Sequence, residues 1–216
     1  MSAVPIPVIG IIGGIGSGKT AIAKVLGQIM SICILDADRA GHEVLKQPET
    51  KEALKVAFNP KIFDHLGEVN RSELARLVFG KEERCRQSLL QLNEITHPRI
   101  HNYLEEQLSE LQRQQTCDVI ILDAALLLEA GWSESCDAIV YLEVPEQIRL
   151  QRVQQRGWTE QQFRDREASQ LPLKIKSEKS DVTIPNGGNI ETAAQKLAIW
   201  IQSNLMQTAT TSNEKH

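Results

Sequence analysis

The sequence predicts an α/β protein whose parallel sheet of about five strands is interrupted by a helical insertion. Short runs that are apolar on both faces alternate with helical patterns, which is typical of strands in a sheet covered by helices. A glycine-rich loop follows the first of these runs and precedes the first helical pattern, as a phosphate-binding loop requires. The predicted strands are Val8 to Ile12, Ile32 to Leu35, Val119 to Leu122, Ala138 to Leu142 and Val182 to Ile184.

The predicted helical segments follow from the spacing of apolar residues along the chain. Thr20 to Met30 has apolar residues at helical spacing directly after the glycine-rich loop. From Pro48 to Gln115 the strand-like runs disappear and helical periodicity predicts an insertion between two core strands. A polar helical stretch rich in Arg and Gln runs from Pro145 to Gln170, and a closing helix from Ile190 to Met206. The polar tail from Thr208 to His216 is expected to fray.

The composition bounds the partners that the protein is expected to have. With 216 residues, 41% of them hydrophobic, the chain is long enough to bury a substantial core as one main domain with an insertion. The 24 basic and 28 acidic side chains give a net charge of -4, which supplies no broad positive surface for nucleic acid. No stretch is apolar for long enough to span a bilayer, and the first residues lack the pattern of a signal peptide.

The four cysteines are scattered singly, without the close pairs expected of a zinc site or a redox dithiol. Cys33 and Cys117 lie in or beside apolar runs, which favours buried thiols. We therefore expect a protein of the reducing cytoplasm, with no obligate protein partner evident.

The segment from Gly13 to Thr20 satisfies the GxxxxGK(S/T) pattern between a predicted strand and a predicted helix. Glycines allow backbone N–H groups to turn inward around phosphates at a helix N-terminus that already favours negative charge. Lys19 is expected to reach the β- and γ-phosphates as a catalytic residue, and the hydroxyl of Thr20 to hold Mg²⁺. A flexible turn alone rarely has Lys and Thr in this register. The expected ATP-binding residues are Gly14, Ile15, Gly16, Ser17, Gly18, Lys19, Thr20 and Ala21.

Acidic residues end two of the predicted strands, where ligands of an open parallel sheet bind. Asp36 and Asp38 follow the second strand, and Asp123 follows the third. A hydroxyl acceptor must lose its proton during phosphoryl transfer, so either of the first two is a candidate general base. Asp38 is the preferred base and Asp36 the preferred cap of the helix expected near Ala40, although the reverse assignment stays open. Asp123 is expected to orient Mg²⁺ directly or through water, the alternative being a turn aspartate.

Arginines are concentrated in the polar helical stretch although the chain as a whole is acidic. Arg152 and Arg156 are four residues apart, so they are expected to share a helix face as a lid over the transferring phosphates. A solvated face of ion pairs is the alternative, and for Arg149 and Arg164 the two interpretations are nearly equal. The residues concerned are Arg149, Arg152, Arg156, Arg164 and Arg166.

Together these motifs resemble the dephospho-CoA kinase family, which phosphorylates the ribose 3′-hydroxyl of dephospho-CoA in the last step of coenzyme A synthesis. The resemblance runs from about Ile9 to Gly188. The phosphate loop alone is shared by many families, whereas the ordered series is specific. The series is GGIGSGKT, LDADRAGHEVL, GEVNRSELARLVF, ITHPRI, DAALLLE, RLQRVQQR, REASQLP and SDVTIPNGG.

The resemblance implies a three-layer P-loop kinase core, a helical insertion that binds the coenzyme, and a mobile lid. It places Asp38 at the base position and Arg152 at the lid position of the family. It also makes His97 and Arg71 acceptor-site candidates beside Asp38 and Asp123, although a histidine before Pro98, at a break between two helical patterns, is by itself more often a turn residue. The corresponding division is core 1–47, 116–148 and 179–206, insertion 48–115, lid 149–178 and frayed tail 207–216. ATP and dephospho-CoA are the implied substrates and Mg²⁺ the implied cofactor.

The chain departs from the family pattern at three positions. Ala125 replaces a usual proline, which puts the acceptor geometry after Asp123 in question, and Ser180 replaces a usual alanine. Thr20 replaces serine but keeps the hydroxyl. Two other functions stay open: a kinase of another small acceptor, such as a nucleoside monophosphate or a sugar acid, and a regulator that binds ATP without turnover. A GTPase is disfavoured because there is no NKxD element.

Overall fold

The strands of the sheet are β1 (Val8–Gly13), β2 (Ile32–Asp36), β3 (Val119–Asp123), β4 (Ala138–Glu143) and β5 (Val182–Pro185). The computed structural model describes residues 4–80 and 82–206, so the predicted tail 207–216 lies outside the described residues. The strand order is β2-β3-β1-β4-β5, and each neighbouring pair is parallel. The five-stranded parallel sheet is therefore confirmed, and each strand extends one residue beyond its predicted end.

The α-helices of the described residues range from six residues in the shortest to 32 in the longest. They are α1 (Lys19–Leu26), α2 (Ala37–Val44), α3 (Pro48–Ala57), α4 (Arg71–Val78), α5 (Glu83–Gln114), α6 (Glu146–Gln154), α7 (Glu160–Ala168), α8 (Leu173–Glu178) and α9 (Ile190–Ile201). Short 3₁₀ helices span Pro60–Ile62 and Trp132–Ser135, and a π-helical turn spans Gln202–Met206. No helix in the described part of the chain is long and apolar enough to cross a bilayer.

The interior strands β1 and β3 are buried along their whole length, since both of their faces are covered. On one side α1 and α9 pack together in a core that includes Ile22, Leu26, Leu197 and Ile201, all fully buried. Burial of large aliphatic side chains is the main favourable term in folding, at about 1.5–3 kcal/mol each. The phosphate loop and Asp123 therefore lie at the ends of the two strands that are buried throughout.

The predicted helical segments Thr20 to Met30 and Pro145 to Gln170 are not continuous α-helices. After Leu26 the chain tightens into successive turns, in which Gln28 N–H donates to Val25 O at 3.0 Å and Ile29 N–H to Leu26 O at 2.9 Å. The polar stretch after Pro145 is likewise not continuous. It breaks at Gly157, whose φ of 83° is left-handed and ends a helix in the usual way.

The helical insertion has a core of its own. The residues Ala37–Gln107 form one compact unit, and the described residues before and after them form the other. Inside the helical unit, α3, α4 and the 3₁₀ helix Pro60–Ile62 bury a small apolar cluster. Its buried members are Leu54, Phe58, Ile62, Leu74 and Val78.

The expected break at His97 and Pro98 is wrong, because α5 continues through Pro98. A proline in a helix removes one backbone donor and leaves carbonyls of the preceding turn without a partner. Beside the proline, Arg99 Nη1 donates to Ile95 O, a carbonyl of the turn directly before Pro98. The Thr96 hydroxyl donates one turn further back, to Leu92 O at 2.9 Å.

Cys33 and Cys117 form a disulfide, so their interpretation as separate buried thiols is wrong. Cys33 lies in β2 and Cys117 two residues before β3, and their Cα atoms are 5.8 Å apart. Their sequence separation of 84 spans the whole helical unit, so their proximity follows from strand pairing and not from local spacing. Cross-linking anchors the edge strand β2 to the interior strand β3.

Removing this disulfide is expected to lower stability by about 2–4 kcal/mol, since the unfolded chain regains the freedom of a long loop. The midpoint of thermal unfolding should fall by about 5 to 15 °C when a reductant is added to the wild-type protein. The double variant Cys33→Ser/Cys117→Ser should unfold at the lower temperature with or without reductant, which makes it the control. Equal midpoints for the oxidised and reduced wild type would contradict the prediction.

Candidate active site

The phosphate loop joins β1 to α1, as the sequence predicts. Gly16 and Gly18 have φ values of 78° and 88°, in the left-handed region that glycine adopts without a steric penalty. A Cβ on Gly16 would lie 2.5 Å from the backbone oxygen of Arg149. All eight residues expected to bind ATP lie in this loop or the first turn of α1, and Lys19 is the first residue of that helix.

Three successive carbonyl groups of the loop accept hydrogen bonds from side chains outside it. Arg149 Nη1 donates to Ile15 O at 3.3 Å. Arg152 Nη1 donates to Gly16 O and Ser17 O, both at 3.3 Å, and its Nη2 donates to Asn186 O at 2.9 Å. These contacts hold the loop between α6 and the end of β5.

Arg152 lies where the sequence predicts a functional arginine, whereas Arg156 does not share its helix face. Because α6 ends at Gln154, Arg156 lies in the following turn and is exposed. Burial, and secondarily the charge of Arg156, lower the pKa of the Arg152 guanidinium. Arg152 therefore belongs to the phosphate-loop site, while Arg156 extends into solvent nearby.

Asn186 is a site residue that the sequence interpretation did not single out. It is buried, with 1% of its surface exposed, and its Nδ2 donates to Ser17 O at 2.8 Å. It directly follows β5 and precedes two glycines. A polar residue at the carboxyl end of a parallel strand is the signal that could have identified it.

Thr20, in the first turn of α1, lies next to Asp123, the last residue of β3. The Thr20 hydroxyl donates to Asp123 Oδ2 at 2.6 Å, and Asp123 is 8% exposed. Asp123 is also the register partner of Asp36, because β2 and β3 are parallel neighbours that end together. The two predicted acidic strand ends thus lie side by side.

The donor set at Thr20 and Asp123 fits Mg²⁺ bound together with a nucleotide. The described residues contain no group of three or more His, Cys, Asp or Glu side chains that could hold a metal ion alone. In nucleotide sites Mg²⁺ takes only one or two protein oxygens, and phosphates and water complete its coordination. A hydroxyl and a carboxylate at the loop meet that requirement.

Asp38, Arg71 and His97 lie in the helical unit, each on a different helix. The helix α2 begins at Ala37, earlier than the expected start near Ala40, so Asp36 is the last residue of β2 and Asp38 lies in the first turn of α2. Arg71 is the first residue of α4, and His97 lies within α5. Burial lowers the pKa of His97, so its imidazole is neutral at pH 7.

A buried polar network holds the segment after β3 against α8. Lys176 is 1% exposed, and its Nζ lies 3.0 Å from Glu129 Oε1 and donates to Gln170 Oε1 at 3.0 Å. Glu129 Oε1 also accepts from Leu171 N–H at 2.9 Å. Although Ala125 replaces a usual proline, the chain that follows it is fixed at Glu129.

The fold and the site define a P-loop kinase that acts on a small molecule. The sequence model of the dephospho-CoA kinase family matches residues 7–192. The chain belongs to the dephospho-CoA kinase family.

Curated relatives agree with this assignment, and solved structures share the fold. The chain is 34% identical to the dephospho-CoA kinase of Carboxydothermus hydrogenoformans over 91% of this chain and 94% of the relative. It is also 34% identical to that of Geobacillus kaustophilus, over 90% and 95%. A structure from Thermus thermophilus has a TM-score of 0.77 and 28% identity, covering 94% of this chain and 99% of the other.

More distant structures show the fold alone. The dephospho-CoA kinase of Campylobacter jejuni has a TM-score of 0.65 at 19% identity, over 91% of this chain and 97% of that one.

Family membership confirms the predicted enzyme class and reaction, an ATP-dependent dephospho-CoA kinase activity.

Proposed function

We propose that the chain transfers the γ-phosphoryl group of ATP to the ribose 3′-hydroxyl of dephospho-CoA through the residues assembled around the phosphate loop. The observation that carries this proposal is the hydrogen bond between Thr20 Oγ1 and Asp123 Oδ2 at the mouth of a loop with two left-handed glycines. Regulators that bind nucleotide also have such loops, but family membership supports turnover.

The loop and the first turn of α1 bind the phosphates of ATP. Residues 14–21 supply backbone N–H groups, and Lys19 contacts the β- and γ-phosphates as a point charge. Thr20 and Asp123 hold Mg²⁺, with Asp123 acting directly or through water. The ion supplies charge neutralisation of the phosphates when it is bound.

Asp38 accepts the proton of the attacking hydroxyl in this proposal. Its support is its place in the first turn of α2, two residues after the strand that ends beside Asp123. A carboxylate is an adequate base here, since phosphoryl transfer depends more on positioning and charge stabilisation than on strong proton abstraction.

The helical unit binds dephospho-CoA, with Arg71 and His97 as acceptor-site residues together with Asp38 and Asp123. Arg71 is exposed at the start of α4, where its charge is available to a phosphate of the acceptor. His97 is neutral at pH 7, so hydrogen bonding and not charge is its contribution. The segment 149–178 acts as the lid, and Arg152 and Arg156 are its arginines.

Replacing Arg152 with alanine is expected to lower kcat by about 10²- to 10³-fold, because developing charge loses a positioned donor. Arg152→Lys should restore only part of the loss, since one ammonium cannot span the carbonyls of both Gly16 and Asn186. Steady-state kinetics with ATP varied at saturating acceptor measures the effect. A variant in which only the KM for ATP changes would contradict the role in turnover.

The acceptor is tested by ATP consumption in the presence of Mg²⁺ with dephospho-CoA, nucleoside monophosphates and sugar acids in parallel. Turnover with dephospho-CoA alone, and product phosphate on the ribose 3′-hydroxyl, is the expected result. Turnover only with another acceptor would refute the proposed acceptor, and ATP binding without turnover on any of them would favour the regulator.

We also propose that the protein acts in the cytoplasm, without nucleic acid or an obligate protein partner. The net charge of -4 supports the proposed absence of a nucleic-acid partner.

The cellular location can be tested through the Cys33–Cys117 disulfide, because disulfides are rare in reducing compartments. Alkylation of thiols in intact cells should label both cysteines if the compartment is reducing, and neither if the protein resides where disulfides persist.

A further inference from the structure

Arg149 is a buried cation placed directly against the phosphate loop. Its surface is 2% exposed, its Nε donates to Val144 O at 3.1 Å and its Nη1 donates to Ile15 O at 3.3 Å. A Cβ on Gly14 would lie 2.6 Å from the same Nη1, so the guanidinium and the loop are in close contact. The sequence left a functional role and a solvated face nearly equal for Arg149, and this burial excludes the solvated face.

The hydrogen bond from Arg149 to Ile15 O also determines the direction of the Gly16 N–H group. The described chain contains no cis peptide bonds, so the Gly16 N–H points in the direction opposite to the Ile15 carbonyl of the same peptide group. Arg149 draws that carbonyl outward, toward α6. The Gly16 N–H is thereby directed to the opposite side, where a phosphate-binding loop binds its anion.

Glu167 of α7 and Phe163 hold the guanidinium in place. Arg149 Nη1 also donates to Glu167 Oε1, and the guanidinium carbon lies 5.3 Å from the centre of the Phe163 ring. A buried charge is costly unless it is paired and hydrogen-bonded, so Arg149 depends on Glu167 for its position. This chain of contacts connects α7 to one peptide group of the phosphate loop.

We propose that Arg149 is a positioning residue for nucleotide binding: held by Glu167, it orients the Ile15–Gly16 peptide group toward the phosphates of ATP. The inference rests on the proposed function, since it assumes that this loop binds ATP. Arg149 acts through the backbone and does not itself contact the reacting atoms.

A second ion pair between α6 and α7 provides a matched control. Arg164 of α7 lies 3.3 Å from Glu146 of α6, but both side chains are more than half exposed. Arg164→Met removes an ion pair between the same two helices, so it controls for the loss of charge and of an interhelical contact in this region. The structure instead predicts an effect for Arg149→Met and none for Arg164→Met.

The test measures Kd for Mg²⁺–ATP and Mg²⁺–ADP by calorimetry without acceptor, together with thermal unfolding and steady-state KM values. Arg149→Met should raise the Kd for ATP by about 10- to 100-fold, the usual effect of losing a charged hydrogen bond. Glu167→Gln should raise it less. The double variant Arg149→Met/Glu167→Gln should bind ATP no more weakly than Arg149→Met alone, while the KM for dephospho-CoA stays unchanged.

Unchanged ATP affinity in Arg149→Met, with only the unfolding temperature lowered, would show a purely structural role and overturn the proposal. An equal loss in Arg164→Met would overturn it as well. If Arg149→Met does not fold, Arg149→Lys and Glu167→Gln decide: both should bind ATP more weakly, and wild-type affinity in both refutes the inference. Absence of nucleotide binding in the wild type would instead refute the proposed function.

Discussion

Replacing Asp38 with asparagine is expected to lower kcat by about 10²- to 10⁴-fold, the usual contribution of a general base. The affinity for ATP should stay nearly unchanged, because the phosphate loop and the proposed Mg²⁺ ligands belong to β1, α1 and β3 and not to α2. The amide keeps the size of the side chain but cannot accept the proton. Single-turnover rates with saturating ATP and dephospho-CoA measure the chemical step directly.

Glu43→Gln is the control for this prediction. Glu43 lies on the same helix, is partly exposed, and pairs only with nearby Lys46 at 2.8 Å among the ion pairs described for α2. Exposed pairs of this kind contribute little to stability, so the variant should turn over like the wild type. Near-normal turnover in Asp38→Asn together with a large loss in Asp36→Asn would reassign the base to Asp36.

Gly16→Ala is expected to raise the Kd for ATP on the order of 100-fold. Substitutions at exposed positions away from the loop should change this Kd far less. Two separate costs add at this position. The φ of 78° disfavours a side chain by about 1–2 kcal/mol. The new Cβ would also lie 2.5 Å from the Arg149 backbone oxygen, which cannot yield without moving α6. Calorimetric titration with Mg²⁺–ATP measures the combined effect.

Gly131→Ala separates these two costs. Gly131 has nearly the same φ, 76°, but no atom lies within 4 Å of where its Cβ would be. This variant should lose stability by about 1–2 kcal/mol from the backbone alone and bind ATP normally. Equal ATP affinities for Gly16→Ala and Gly131→Ala would show that the close approach between the loop and α6 does not matter.

The strands and the phosphate loop were predictable because local sequence decides them. A run such as Val119 to Leu122 is apolar on both faces, and a strand buried on both faces requires that pattern whatever its neighbours are. The loop was predictable for a similar reason. Two of its positions have left-handed backbone, which favours glycine, and the sequence has glycine at both. The position of Asp36 beside Asp123 follows from the pairing of β2 with β3, since neighbouring parallel strands end at the same edge of the sheet.

The continuity of α5 and the disulfide were not predictable from local patterns. Pro98 normally indicates a helix end, but α5 continues through it to Gln114. Cys33 and Cys117 come together because β2 and β3 pair across an intervening unit. The spacing of residues along the sequence indicates neither the unbroken helix nor the disulfide.

The sequence by itself determined the sheet, the phosphate loop, the acidic strand ends and, through its ordered motifs, the family and reaction. Only the tertiary structure decided which polar side chains surround the loop from outside: Arg149 and Arg152 from α6, and Asn186 after β5. The physical reason is that strand patterns and glycine loops depend on neighbours in sequence. The buried guanidinium of Arg149 is instead placed by carbonyls and a carboxylate from segments up to 134 residues away, which no local pattern records.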